Sequence, residues 1–218
     1  MNITIVTDDS GAKLPEIDRY RDKIGKGTEL SKDQGLVRLL SDNGLDIPAD
    51  DMENESTYRR VLSEYIRPAR LMFAGMFSEV RVFSDGLKKD HAVKLLIISG
   101  RYGLISENEE IIPYQHHISD RKEMERLDLR TGLFDKLIDG VSGSDIAMFF
   151  LLGNLLSYLM ERGLLNNINS TKVIAVTSSR FRDELLDSGH FFLLRRGVAR
   201  IGKDNAERIK ETIQNRGE

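Results

Sequence analysis

The chain has 218 residues, 40% apolar and 31% charged, with a net charge of -3. That is material for a large core in one α/β domain over residues 1–218, without the overall basic field of a nucleic-acid binder. The absence of cysteine excludes disulfides, thiol catalysis and cysteine-ligated zinc or iron–sulfur centres. No apolar run has the length to span a bilayer, and residues 1–6 read as a strand, not a leader, so a cytoplasmic protein without membrane contact is expected.

Residues 3–6, Ile-Thr-Ile-Val, form the first expected strand, broken by the turn formers of 7–11. The stretch 14–28 is polar and carries no pattern. Ser31 and Gln34 have the spacing of a capping box, which predicts a short helix through Leu36, Leu39 and Leu40 that stops near Gly44. Residues 42–56 are acidic, contain Pro48, and read as an exposed, mobile excursion. Apolar residues recur near helical spacing over 57–77, with Pro68 expected to kink or split the helix. Short strands are expected at 80–83 and 95–98, then a charged amphipathic helix at 120–138 and a buried strand at 146–152. A helix at 155–165, a strand at 173–176, a helix at 181–186 and a final helix at 205–213 complete the pattern. Short buried strands alternating with helices predict a mostly parallel, Rossmann-like sheet of three layers, with helices on both faces.

The densest chemical signal is Ser99-Gly100-Arg101-Tyr102-Gly103, directly after the apolar run 95–98 and followed by Pro113-Tyr114. In an open α/β sheet, ligands bind beyond the carboxyl ends of the strands. A parallel sheet would bring four turns to that edge, at 7–11, 99–103, 153–154 and 177–180. Helix N-termini there favour an anion such as phosphate. The candidate ligand-binding residues are Ser10, Ser99, Gly100, Arg101, Gly103, Tyr114, Gly153, Asn154, Ser178 and Ser179. Arg101 and Arg180 are suited to bidentate contact. The candidate catalytic groups are Asp8 and Asp9, to orient or activate, and Tyr102 and His116, to transfer a proton. The competing reading is that small polar residues merely cap βα turns. His116 and His117 are adjacent in an extended segment and face opposite sides, so no metal site is expected. The absence of a GxGxxG fingerprint leaves no cofactor expected either, and Ser99 lacks a nucleophile elbow.

The segment 195–218 is the most basic of the chain. Within it, 198–209 resembles the second half of a helix-hairpin-helix, whose hairpin amides hold a DNA phosphate. Arg200, Gly202 and Lys203 are the candidate nucleic-acid contacts. Arg200 stands where the first hairpin glycine belongs, so the preferred alternative is a strand at 191–194, a turn and a closing helix. Gly197 to Lys203 also mimics a P-loop, but Asp204 replaces the hydroxyl that must ligand magnesium.

The run Ser99-Gly-Arg-Tyr-Gly-Leu104, followed by Ile112-Pro-Tyr114, resembles the signature of the YaaA-type proteins and of neighbouring families with a Ser-(Gly/Ala)-x-Tyr-Gly-Leu strand end. The helix around 58–74 and Gly153 with Tyr158 extend the likeness loosely. The chain departs from the pattern in its excursion at 42–56 and in an acidic first turn, with Lys13 in the place of the usual lysine. The resemblance implies a YaaA-like protein acting in peroxide stress and binding DNA. The expected partner is therefore a nucleic acid or a phosphorylated small molecule. Three functional readings stand: a protein that binds nucleic acid or nucleotide phosphate in a stress response, an enzyme acting on a nucleoside, nucleotide or sugar phosphate at the sheet edge, and a scaffolding partner protein, which predicts a large exposed apolar patch. No feature fixes an oligomeric state.

Overall fold

A computed structural model describes residues 1–15, 27–118, 120–168 and 171–215. Most of the polar stretch 14–28, and residues 216–218 of the basic segment, lie outside them. The protein is α/β. Among the described residues the main sheet has six strands, in the order β4-β3-β1-β6-β7-β8. These are β1 (Asn2–Asp8), β3 (Ala92–Ser99), β4 (Gly103–Ser106), β6 (Ile146–Phe150), β7 (Lys172–Thr177) and β8 (Phe191–Leu194). β1, β6, β7 and β8 pair in parallel, with Ile3 beside Ile146, Ala147 beside Val173 and Ile174 beside Phe191. A separate antiparallel ribbon joins β2 (Arg67–Pro68) to β5 (Glu110–Ile111). All five residues of β6 are buried, which is why its sequence is a continuous apolar run without alternation. No described helix is long and apolar enough to cross a membrane.

The chain divides into two compact units. Unit 1 comprises residues 1–8, 79–96 and 133–218, and unit 2 comprises 9–78 and 97–132. Unit 1 holds most of the parallel sheet with α6 (Leu133–Val141), α7 (Gly153–Glu161), α8 (Leu164–Asn167), α9 (Arg182–Asp187) and α10 (Lys203–Gln214). Unit 2 holds α1 (Gln34–Asp42), α2 (Glu55–Val61), α3 (Ala69–Met72), the ribbon and α5 (Arg121–Thr131).

Several expected elements are corrected. Residues 80–83 are not a strand but part of α4 (Phe77–Leu87). Phe77, Val80, Ser84 and Leu87 are buried while Val82 is 67% exposed. That is a helical face; a strand would have turned Val80 and Val82 the same way. The helix expected over 57–77 is broken: α2 ends at Val61, and Arg67–Pro68 pairs as β2. The residue before a proline is biased to extended backbone, so of the two outcomes expected at Pro68, a kink or a split, the structure has the split, with Arg67–Pro68 in a strand. The helix expected over 120–138 is two helices, because Gly132 adopts φ 63° and ends α5 in a left-handed cap. α1 is capped by Asp33, which accepts from the Leu36 amide at 3.1 Å, and not by Ser31. At the C-terminal end the strand, turn and closing helix are present as β8 and α10.

Candidate functional site

Of the four turns expected to lead from strand to helix, two do. β6 enters α7 directly, and β7 enters a 3₁₀ turn (Ser179–Phe181) ahead of α9. The Ser99 turn leads instead into β4, and the first turn bends through Gly11 and Ala12 to Lys13, which bridges Thr28 and Phe73. Neither of these two turns offers a helix N-terminus to an anion.

In unit 2 the Ser99 turn is fastened from within. Ser99 Oγ accepts the amides of Arg101 at 3.2 Å and Tyr102 at 3.0 Å and lies 2.7 Å from the Tyr114 hydroxyl. The Gly100 amide is given to Asp9 Oδ2 at 3.1 Å. A Cβ on Gly100 would lie 2.8 Å from the His116 carbonyl oxygen, so the glycine lets that backbone cross close by. Gly103 has φ 77° and packs against Thr131. Arg101 is fully buried, and all five of its N–H groups are engaged. Nε and one Nη2 hydrogen meet Glu55 Oε2 at 3.1 and 2.9 Å, and the other Nη2 hydrogen meets the Asp51 carbonyl at 3.3 Å. Nη1 meets Asp51 Oδ1 at 2.8 Å and the Ala49 carbonyl at 2.5 Å. A guanidinium has only five donors, so Arg101 has none left to hold a ligand. Tyr102 donates to Glu55 Oε1 at 2.8 Å and is likewise turned inward. Burial and the Glu55 charge push its hydroxyl above the ordinary tyrosine range. The acidic stretch 42–56 is therefore not simply an exposed excursion: Pro48 is buried, and Asp51 and Glu55 carry the partners of Arg101.

Beneath this turn lies a cluster of buried titratable groups. Asp9, Lys13 and Tyr114 are all buried. Asp9 is anchored through its amide to the Ile98 carbonyl at 2.9 Å, and its Oδ2 accepts from the Tyr114 hydroxyl and the Gly100 amide. Its Oδ1 lies 3.6 Å from Nδ1 of His117, whose side chain is 55% exposed. Lys13 Nζ donates to the Ser10 carbonyl at 2.6 Å and sits over the Tyr114 ring at 4.6 Å and the Phe73 ring at 5.6 Å. Burial pushes the Asp9 carboxyl up, but His117, the Lys13 ammonium, Tyr114 and Gly100 outweigh it and hold it below its ordinary range. Burial pulls Lys13 down to about 8, against the opposing pull of Asp9. Burial, with the Asp9 charge, raises Tyr114 well above its ordinary value. The next residue, Leu14, has φ 56°, a left-handed backbone that costs a branched residue about 1–2 kcal/mol. It is stapled by its amide to the Met72 carbonyl at 2.8 Å, while Lys13 and Thr28 exchange backbone bonds at 2.8 Å. His117 rests on Gly11, where a Cβ would lie 2.6 Å from its Nε2.

In unit 1 the remaining candidates fall into two groups. Arg180 donates to the Gly153 carbonyl at the start of α7 and stacks on Phe181. Asn154 bonds the Leu155 amide at 3.0 Å, and Ser178 flanks the 3₁₀ turn that begins at Ser179. Asp8 is buried against Arg200. Arg200 Nη1 donates to Thr7 Oγ1 at 2.6 Å and to the Asp8 carbonyl, and its Nη2 lies 3.4 Å from Asp8 Oδ2. The amides of Arg200, Ile201 and Gly202 all converge on the Glu79 carboxylate at 2.8, 3.2 and 2.6 Å. The hairpin amides and the Arg200 guanidinium are thus engaged inside the protein and not turned to a phosphate. Lys203 is exposed and lines a cavity of about 330 Å³ with Arg196 and Arg208.

Lys13 is singled out in the sequence only by the resemblance, and His117, not the expected His116, is the histidine that meets Asp9. Adjacent residues on an extended segment face opposite ways, and nothing local says which way is inward. Asp51, Glu55 and Glu79 were missed, because each finds its partner about 50 to 120 positions away. Among the described residues no group of three metal-binding side chains is assembled. No protein-family model, no curated protein and no solved structure matches the chain.

Proposed function

We propose that this chain is an enzyme acting on a small polar molecule, with Asp9 and His117 as its acid–base pair and a nucleoside, nucleotide or sugar phosphate as the substrate class to test first. The observation that carries this reading is the burial of two opposite charges, Asp9 and Lys13, beneath a histidine that faces solvent. Burying charges is expensive, and apolar residues of equal volume would serve folding as well or better. A strained leucine backbone adjoins them. Strain and perturbed titration gathered in one place mark functional sites. In this reading Asp9 holds the Nδ1 side of the imidazole and stabilises the imidazolium that forms when His117 takes a proton. Lys13 keeps Asp9 ionised. Arg101 and Tyr102 take no part in the chemistry; they hold the 48–58 segment.

The likeness to YaaA-type proteins supports a second reading, nucleic-acid or nucleotide-phosphate binding in a stress response. The observation that favours it is the cavity at the start of α10, where Arg196, Lys203 and Arg208 outnumber the one acid, Asp204, which pairs with Arg196 at 3.5 Å. The alternation of parallel strands and helices supports, as part of the same proposal, a Rossmann-like layering with helices on both faces of the sheet.

A thermal-shift screen against nucleosides, nucleotides, sugar phosphates and short DNA and RNA separates the two readings, because a ligand of the native state raises the melting temperature by mass action. A small-molecule hit that is weakened in Asp9→Asn and kept in Lys203→Glu supports the enzyme. A salt-sensitive nucleic-acid hit lost in an Arg196→Glu, Lys203→Glu variant supports the binding reading. Stabilisation by no member of the panel contradicts both.

A further inference from the structure

We infer that Tyr114 is a positioning residue for the Asp9–His117 pair: its hydroxyl, oriented from behind by Ser99, holds the Asp9 carboxylate so that Oδ1 faces the imidazole. The inference rests on the acid–base reading of that pair. The direction of the hydrogen bonds follows from counting. A serine hydroxyl has one proton and two lone pairs. Ser99 Oγ already accepts two amides, those of Arg101 and Tyr102, so its proton must go to the Tyr114 oxygen, 2.7 Å away. The Tyr114 proton is then committed to Asp9 Oδ2, and an ionised carboxylate can only accept.

The result is a one-way chain from Ser99 through Tyr114 to Asp9, ending on a charge. Each bond polarises the next. The terminal torsion of an aspartate is broad and does not fix which oxygen points where. Two donors on Oδ2, Tyr114 and the Gly100 amide, fix it here with Oδ1 on the side of His117, 3.6 Å from its Nδ1. The Tyr114 ring cannot swing away, because it meets Phe73 and Tyr102 edge-on at 6.2 and 5.8 Å and carries Lys13 on its face. The rise in its pKa keeps the hydroxyl a donor.

The tautomer of His117 reads this arrangement without any substrate. A carboxylate at Nδ1 selects the neutral Nδ1–H form, whereas an untethered imidazole side chain favours Nε2–H. Long-range ¹⁵N–¹H NMR of the imidazoles at mildly alkaline pH distinguishes them. Wild type is expected in the Nδ1–H form, and Asp9→Asn to lose it. Tyr114→Phe keeps the ring and its contacts and removes one oxygen, and it is expected to shift His117 toward Nε2–H. Ser99→Ala, the second variant, is expected to do the same. If both leave the wild-type tautomer in place while Asp9→Asn changes it, Tyr114 has no positioning role and the inference falls, with the pair intact. If Asp9→Asn changes nothing, the pair itself falls and the inference with it.

Discussion

Replacing Arg101 with methionine removes a buried guanidinium and keeps much of its length, so it separates a structural arginine from a ligand-binding one. Five hydrogen bonds are lost, three of them on carboxylate oxygens. Taken independently the three charged bonds would each be worth about 1.5–3 kcal/mol, but that sum is an upper bound. Asp51 and Glu55 keep 26% and 18% of their side-chain exposure, so water reclaims part of their charge once the arginine is gone. Removing one partner of a fully buried pair costs about 3–5 kcal/mol, and partial hydration places this case near the lower end, about 3 kcal/mol. Urea unfolding followed by circular dichroism measures it, with the slope m expected unchanged. Arg101→Lys should recover less than half, since one ammonium cannot make the two-carboxylate fork. A loss under about 1 kcal/mol for Arg101→Met would refute the reasoning and return Arg101 to the list of groups available to a ligand.

Asp51 provides an acid-side check. Burial raises its carboxyl, but Tyr58, the Ala49 amide and Arg101 outweigh that and hold it at about 2. A depressed carboxylate stabilises the fold above its unfolded value and loses that contribution as pH falls from about 4 toward 2, so this acid limb should flatten in Arg101→Met. Lys13 works in the other direction. Its value of about 8, against an unfolded 10.5, means that the unfolded chain binds more protons between those limits, so stability should rise with pH over that window. The full penalty, about 3 kcal/mol at 1.36 kcal/mol per unit, is present below pH 8. Urea titrations should show the rise in wild type and not in Lys13→Met, comparing below pH 10, where Tyr114 does not yet oppose it. Gly11→Ala should cost under about 0.5 kcal/mol while displacing the His117 ring, a flexible side chain. Gly100→Ala, which meets a backbone carbonyl, should cost about 1–3 kcal/mol as overpacking does. Glu79→Ala strips one carboxylate from three amides and should cost about 2 kcal/mol; an unchanged unfolding curve would contradict the capping role.

The buried strands were legible because a parallel sheet writes itself as apolar runs, as in residues 95–98, 146–152 and 173–176, and in 3–6 with only Thr4 between. Val80 to Phe83 shows the limit: three apolar residues around Arg81 fit a strand or a buried helix, and only the exposure of Val82 decides. The motif around Ser99 was legible as a turn of unusual chemistry but not as a fastening. Its arginine and tyrosine find their carboxylates in the acidic stretch 42–56, which has no local pattern of its own. Arg200 likewise reads as a surface cation in the sequence and lies buried against Asp8. The Asp9–His117 contact was half legible: the sequence points to Asp8 and Asp9 together and to His116, whereas the structure brings Asp9 to His117.

The most direct test of the central claim is turnover of the compound that the thermal-shift screen selects, compared between wild type and His117→Gln at equal concentration of folded protein. An acid–base role predicts a fall of roughly 10²–10⁴-fold with the unfolding curve unchanged. Equal turnover by the two proteins would contradict it.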